Sequence, residues 1–274
     1  VTHANITFIG AGNMASSILG GLISQGYPTD RLTATDTYSP TLEQVAAKFA
    51  ITTTADNAEA ARSAEVILLA VKPQVMEQVC TALRPHLAHQ PLIISIAAGI
   101  DIHSLDTWLG NDLAIVRCMP NTPALVQTGA SGLYANERTS AAQQAIANDI
   151  LAAVSIVEWV AREDLLDAVT AVSGSGPAYF FLFMEAMIDA GVAQGLSRET
   201  ATQLTLQTAL GAAKLASNSD VDVVELRRQV TSPNGTTEQA IRSFEASQLR
   251  TTVATAMDAC ADRSREMARE LGIE

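Results

Sequence analysis

Histidine, cysteine, aromatic side chains and positive charge are all scarce in this sequence, and each scarcity removes a class of function. The three cysteines of the 274 residues, Cys80, Cys118 and Cys260, stand far apart with no Cys-x-x-Cys pair. They fit neither a disulfide framework nor a zinc site and read as buried thiols of a reducing cytosol. The four histidines, His3, His86, His89 and His103, all lie in the first half, and none is placed like a catalytic base. No metal site is expected. Lysine and arginine total 17 against 29 aspartates and glutamates, a net charge of −12. Nucleic acid and anionic membrane both recruit basic surfaces, so neither is expected as a partner. Long apolar runs are missing too. The most apolar stretch, Ala178 to Met184, is followed by Glu185 and Asp189, far too soon to span a bilayer. The opening residues show no basic segment, apolar stretch and cleavage site in sequence, which gives a cytoplasmic expectation.

What is present is an ordinary helix-rich composition, 48% apolar and only 4% aromatic, long enough for two domains with a core each. The first half alternates strand and helix patterns. Ile6-Thr7-Phe8-Ile9 runs into Gly10-Ala11-Gly12-Asn13-Met14-Ala15 and then a helical pattern through Gln25. Strand, tight turn and helix are the context in which G-x-G-x-x-G/A binds a dinucleotide. Gly10 makes the turn, Gly12 admits a pyrophosphate, and Ala15 lets helix and strand pack closely. A second strand, Leu32 to Thr35, ends at Asp36, where an acidic side chain normally receives a ribose 2′-hydroxyl and leans towards NAD. Thr37, Tyr38 and Ser39 offer hydroxyls to a 2′-phosphate instead, or Ser39 caps the next helix ahead of Pro40, so NAD against NADP stays open.

Ala64 to Val71 and Pro91 to Ile96 read as buried parallel strands, whose carboxyl ends carry Val71-Lys72-Pro73 and Ala97-Ala98-Gly99. Ligands of parallel sheets bind beyond those ends, so Lys72 either touches the cofactor or is merely solvated, and Ala98 is small enough to lie beside a ring. Ile115 to Met119 leads into a double-proline loop, and Ser131–Tyr134 and Ser155–Val160 extend the sheet.

From Glu163 onwards only helical patterns remain. Leu165 to Val172 breaks at Ser173-Gly174-Ser175-Gly176-Pro177, which reads either as a hinge lining a nicotinamide pocket or as a tight helix-to-helix turn. The helix that follows is apolar on all sides at Ala178 to Met184. Such a helix must be covered all round, and so small a domain has limited material to do it, which points to a homo-oligomer. Ser197 caps a helix to about Ser217, another spans Val221 to Val230, and two more run over Thr236–Ala246 and Gln248–Leu271. The turn Thr231-Ser232-Pro233-Asn234-Gly235-Thr236-Thr237 opens the first of these last two. Thr236 with Gln239 reads as a capping box, leaving the Thr237 hydroxyl free in the first turn. Such a helix start is a seat for a carboxylate. This half has no histidine and one lysine, Lys214. Oxidising a hydroxyl generally needs a base, whereas a protonated C=N bond is already electrophilic, and alignment with one modest hydrogen bond suffices.

Gly10–Ala15, Val71-Lys72-Pro73, Met119-Pro120-Asn121-Thr122-Pro123-Ala124, Ser173-Gly174-Ser175-Gly176-Pro177-Ala178-Tyr179 and Thr231–Thr237 stand in the order and spacing of pyrroline-5-carboxylate reductase, which the whole chain resembles. The resemblance implies an α/β Rossmann-type N-terminal domain, residues 1–162, followed by an all-α C-terminal dimerisation domain, residues 163–274. It implies the last step of proline synthesis, hydride transfer from NADPH or NADH to 1-pyrroline-5-carboxylate, with dimers that commonly assemble into decamers. By motif position Ser232, Gly235, Thr236 and Thr237 hold the substrate carboxylate, and Thr237, the expected catalytic residue, also lies near the ring nitrogen. Glu163 matches a position near the substrate amine, Gln229 one near the cofactor and Asn57 one beside the adenosine. The expected cofactor set is thus Ile9, Gly10, Ala11, Gly12, Asn13, Met14, Asp36, Asn57, Val71, Lys72, Ala98 and Gln229. One departure is Asn234, where the family usually has glycine. Asparagine tolerates positive φ best after glycine, so the turn is expected to survive.

Two other readings compete. β-Hydroxyacid dehydrogenases resemble the chain around Gly174-Ser175-Gly176 but carry lysine and asparagine where Phe180 and Phe183 stand here, so hydroxyl chemistry lacks its proton acceptor. A catalytically silent dinucleotide-binding sensor would keep Gly10–Ala15 and have no need of Thr231–Thr237.

Overall fold

A computed structural model describes residues 3–110 and 112–273. Its first body holds one eight-stranded sheet in the order β3-β2-β1-β4-β5-β6-β7-β8. The strands are β1 (Ile6–Ile9), β2 (Leu32–Thr35), β3 (Thr52–Thr54), β4 (Val66–Leu69), β5 (Leu92–Ser95), β6 (Ile115–Met119), β7 (Gly129–Ala135) and β8 (Ser155–Trp159). Neighbours from β3 to β6 run parallel, β7 is antiparallel to β6, and β8 is parallel to β7. The chain leaves β1 towards β2 on one side and returns to β4 on the other. Strand order therefore reverses at β1, and a crevice opens beyond its carboxyl end.

The apolar runs become strands because both sheet faces are covered. Along β4, Val66 and Leu68 join one core with Phe8, Leu19, Ile94 and Val116, while Ile67 and Leu69 join the other with Ile93, Leu105 and Ile115. That alternation is the period of two expected of an extended chain buried on both sides. Each fully buried leucine or isoleucine contributes about 1.5–3 kcal/mol. Helices α1 (Asn13–Ser24), α2 (Ser39–Phe49) and α6 (Ala141–Ala152) supply the first core; α3 (Asn57–Ala61), α4 (Met76–Leu83) and α5 (Ile102–Leu109) supply the second.

Cys80 and Cys118 are buried in these two cores, and desolvation pushes both thiols up to about 12. The thiolate is the reactive species, so both are inert in the folded state. Iodoacetamide at mildly alkaline pH should leave both unmodified in the native protein and alkylate both after denaturation. Peptide mass mapping that finds native Cys80 or Cys118 labelled at the rate of a free thiol contradicts this packing.

The compact bodies divide the chain at different places from the expected border at 162 and 163. Residues 1–175 and 259–274 form one unit and residues 176–258 the other. The short helix α7 (Leu165–Val169) belongs to the sheet unit because Val169 fills the space that Gly132 of β7 leaves open; a Cβ there would lie 2.5 Å from Val169 Cγ1. The helix foreseen over Leu165 to Val172 widens instead into a π turn at Thr170–Gly174, closed by Ser175 N–H donating to the Thr170 carbonyl at 2.8 Å.

The second unit contains only helices: α8 (Gly176–Ala193), α9 (Arg198–Ser217), α10 (Val223–Gln229), α11 (Thr236–Ala246) and the first part of α12 (Leu249–Leu271). Ser197 caps α9 as foreseen, its Oγ accepting from Thr200 N–H at 3.1 Å. What this unit does not do is bury a core. Gly176, Ala201 and Thr205 are its only buried described residues, while Phe180, Phe181 and Leu182 are 67%, 63% and 66% exposed. Among the described residues no helix is long and apolar enough to cross a membrane.

Candidate dinucleotide and carboxylate sites

The glycine turn sits between two strand ends. Gly10 takes φ +97°, its N–H donates to the Thr35 carbonyl at 3.0 Å, and a Cβ there would lie 2.8 Å from the Ala70 carbonyl oxygen. No side chain other than hydrogen satisfies both demands. Gly12 precedes α1 with no side chain capping the helix, and the space its Cβ would occupy is open. The first amides of α1, on Asn13, Met14 and Ala15, thus face a cleared space at the positive end of a helix, which fits a pyrophosphate.

The rim is built from the ends of neighbouring strands. Asp36, just past β2, accepts from Ala11 N–H at 3.1 Å through one oxygen and from Tyr38 N–H at 2.9 Å through the other. Ser39, read from sequence as a possible cap, is instead the first residue of α2, with Tyr38 before it and no side chain capping. Buried Thr35 donates to Asn57 Oδ1 at 2.5 Å, fixing the amide at the start of α3. Val71 and exposed Lys72 follow β4, and half-buried Ala98 follows β5. Ile9, Gly10–Met14, Asp36, Asn57, Val71, Lys72 and Ala98 therefore share one edge of the parallel sheet because all sit at or just beyond strand carboxyl ends. Gln229 lies in the second unit at the end of α10, with Nε2 3.4 Å from Glu225 Oε1.

Glu163 has an anchored carboxylate. Its Oε1 accepts from Ile102 N–H at 2.7 Å and from Arg117 Nη1 at 2.6 Å, the pair being 28% and 14% exposed. Sequence reading passed over Arg117, although a cation inside an otherwise apolar strand is itself a signal, since a buried charge needs a partner. Asn121 was likewise placed in a motif without a role. Its Nδ2 donates to the Ser173 carbonyl at 3.0 Å and its Oδ1 accepts from Ala130 N–H at 2.9 Å. Met119 Cε fills the space over Gly174, 2.5 Å from where a Cβ would be. Two motifs far apart in sequence are thereby locked together.

In the second unit the 231–237 stretch forms a tight turn. Gly235 N–H donates to the Ser232 carbonyl at 3.0 Å, Pro233 takes the second position, and Asn234 adopts φ +60° in the third. The capping box expected from Thr236 and Gln239 is not formed. Gly235 is the residue before α11, so the third helical position is Glu238 rather than Gln239. Glu238 reaches back to accept from Asn234 N–H at 2.7 Å and pairs with Arg242 at 3.0 Å. No side chain caps α11, so the amides of Thr236, Thr237 and Glu238 stay unpaired at the helix start. The hydroxyls of Ser232, Thr236 and Thr237 stand on exposed residues around it.

Residues 163–267 match the family model described as pyrroline-5-carboxylate reductase dimerisation, and residues 5–99 match one described as NADP oxidoreductase, coenzyme F420-dependent. Pyrroline-5-carboxylate reductase from Pseudomonas aeruginosa is 57% identical over 267 residues, covering 97% of this chain and 98% of its own. The enzyme of that name from Vibrio alginolyticus is 45% identical, with 97% and 98% covered. The structure of a pyrroline-5-carboxylate reductase from Coxiella burnetii matches with a TM-score of 0.94 at 45% identity, covering 97% of this chain and 99% of that one. The Plasmodium falciparum pyrroline carboxylate reductase with NADP bound matches at 0.84 and 32% identity, with 97% and 98% covered. A 3-hydroxyisobutyrate dehydrogenase from Mycobacterium tuberculosis, 14% identical with a TM-score of 0.54, shares the fold alone. With full-length relatives at these identities, the chain belongs to the pyrroline-5-carboxylate reductase family.

Proposed function

We infer that this chain is an NAD(P)-dependent oxidoreductase that reduces the C=N bond of 1-pyrroline-5-carboxylate to give L-proline, the last step of proline biosynthesis. The observation that carries the reading is the uncapped start of α11 behind the Ser232–Gly235 turn, a seat for a small carboxylate in a chain that also builds a dinucleotide turn.

When bound, NADPH or NADH supplies the hydride. Gly10–Met14 hold its pyrophosphate on the first amides of α1, and Asn57 meets the adenosine with its amide fixed by Thr35. Ile9, Asp36, Val71, Lys72 and Ala98 line the same strand ends, and Gln229 is assigned to the cofactor by motif position. The amides behind Ser232, Gly235, Thr236 and Thr237 take the substrate carboxylate, which also complements the positive end of α11. The Thr237 hydroxyl orients the ring nitrogen. Glu163 is assigned to the substrate amine by motif position, with Oε1 already occupied and Oε2 left for another partner. With the imine nitrogen protonated, the carbon accepts hydride directly and the resulting amine gains its second proton from water. That balance calls for no strong base, and the all-helical half holds no histidine and one lysine, Lys214. Phe180 and Phe183 leave hydroxyacid oxidation without a proton acceptor.

A second copy of the chain is the proposed cover for α8. A unit that exposes Phe180, Phe181 and Leu182 and buries almost nothing of its own is half of a shared core. Three unpaired thiols fit a cytoplasmic enzyme, and the net charge of −12 fits one without a nucleic-acid partner.

The test is a steady-state assay with the cyclic imine and each reduced cofactor; absence of imine-dependent oxidation of both refutes the activity. Thr237→Ala should lower kcat/KM roughly 10- to 100-fold, since one such hydrogen bond is worth about 1.5–3 kcal/mol. Unchanged kinetics would remove Thr237 from the mechanism.

A further inference from the structure

Asp36 receives two main-chain amides at once, one from the glycine turn and one from the entrance to α2. Its carboxylate is not a free side chain at the end of β2. One oxygen receives Ala11 N–H, inside the glycine turn, at 3.1 Å, and the other receives Tyr38 N–H, at the entrance to α2, at 2.9 Å. The two donors come from different loops, so they hold the carboxylate from both sides and leave it little freedom to swing away. Asp36 is half-buried, which keeps its charge close to whatever lies against the turn.

Among the described residues no ion pair engages that charge, and the one lysine placed on the same sheet edge, exposed Lys72 past β4, follows a different strand. From Asp36 to Ala47 the sequence carries no lysine or arginine. The nearest lysine along the chain, Lys48, stands over the Phe49 ring at 4.9 Å at the far end of α2. Arg31, before β2, donates to Asn5 Oδ1 at 3.2 Å, and residues before the strand lie at its opposite end. The site itself fits a dinucleotide: Gly12 leaves open space ahead of α1, and no side chain caps that helix. In such a site the adenosine ribose lies at the end of the second strand, where an acid accepts its hydroxyls and an arginine would accompany a 2′-phosphate.

We propose that Asp36 is the specificity-determining residue of the dinucleotide site, its carboxylate pinned by Ala11 and Tyr38 so that the site prefers NADH to NADPH. The proposal rests on the cofactor reading above. Each carboxylate oxygen keeps a lone pair for a ribose hydroxyl, so NADH gains a hydrogen bond. A 2′-phosphate brings like charge against a group that cannot move aside, and water screens it only in part at a half-buried position. The uncapped start of α2 and the hydroxyls of Thr37 and Ser39 offset some of that repulsion, so the preference is finite.

The experiment measures binding, independent of turnover. The protein is titrated calorimetrically with ADP-ribose and with its 2′-phosphorylated counterpart, as wild type, Asp36→Asn and Thr37→Arg. The wild type is expected to bind ADP-ribose about tenfold more tightly or better, as one like-charge contact at partial burial implies. Asp36→Asn keeps an acceptor for one amide and loses the charge, so the ratio should fall to within about threefold. Thr37→Arg leaves the Asp36 strut intact and adds the missing cation, so it should narrow the ratio even if the Asn variant folds poorly. Equal affinities in the wild type, or a ratio that neither substitution moves, overturn the proposal. Failure of both nucleotides to bind the folded wild type overturns the dinucleotide reading instead, and this inference with it.

Discussion

Alanine at position 10 and alanine at position 12 are expected to fail in different ways. Gly10→Ala should destabilise the protein before any ligand is added. The residue sits at φ +97°, where an L side chain costs about 1–2 kcal/mol, and its Cβ would press on the Ala70 carbonyl at 2.8 Å, a backbone atom held by β4. A penalty of about 2 kcal/mol lowers the melting temperature of the apo protein by about 4–8 °C at this size. It also displaces the turn proposed to face the pyrophosphate. Gly12→Ala meets nothing in the protein, because the space beyond its Cα is open and its φ of −68° suits any residue. Its melting temperature should match the wild type while NADH affinity falls at least about tenfold, because the new methyl stands where the phosphates approach. Thermal melts paired with NADH titration separate the two. If Gly12→Ala binds NADH like the wild type, the cleared space is not a phosphate seat.

Phe181→Glu should take the enzyme apart. In the single chain Phe181 is 63% exposed on α8, beside Phe180 and Leu182, and the helical unit around it buries almost no side chains. Covering a phenylalanine contributes about 1.5–3 kcal/mol. A twofold partnership uses each position twice, and a carboxylate forced into the covered face adds a desolvation penalty. A loss of at least about 3 kcal/mol weakens association more than about a hundredfold. Subunits that share a core often have no stable separate form, so helicity and activity should fall together. Light scattering after gel filtration, with circular dichroism on the same fractions, reads the outcome. A variant that keeps wild-type mass and turnover shows that the face is not buried.

Much of the site was legible from residue chemistry. Ile6–Ile9, the turn at Gly10, and α11 from Thr236 to Ala246 lie where pattern and turn residues put them, and Asn234 takes the positive φ foreseen for it. The failures have local causes. β3 is Thr52–Thr54, three threonines on the sheet's edge with no buried alternation to announce them. The capping box was misread because Gly235 ends the turn one residue sooner, and a one-residue shift changes which side chain reaches back. Arg117 and Asn121 act through partners 46 and 52 residues away, Glu163 and Ser173, and short-range pattern is blind to such distances. The border at 162 and 163 follows composition and coincides with the start of the dimerisation family model at residue 163. The division into compact bodies follows instead the packing of Val169 and the last turns of α12.

Those last turns decide how the molecule can be dismantled. Met267 and Leu271 cover Gly99, and Ser104 Oγ receives the Ile273 amide at 3.0 Å, so the tail belongs to the nucleotide-binding body. The helical unit is therefore an insert spliced between two segments of the other, with covalent anchorage at entry and exit. A gene cut after codon 162 encodes an unfinished body, its Gly99 surface stripped of Met267 and Leu271. The smallest excision that respects the architecture removes the middle and rejoins the flanks.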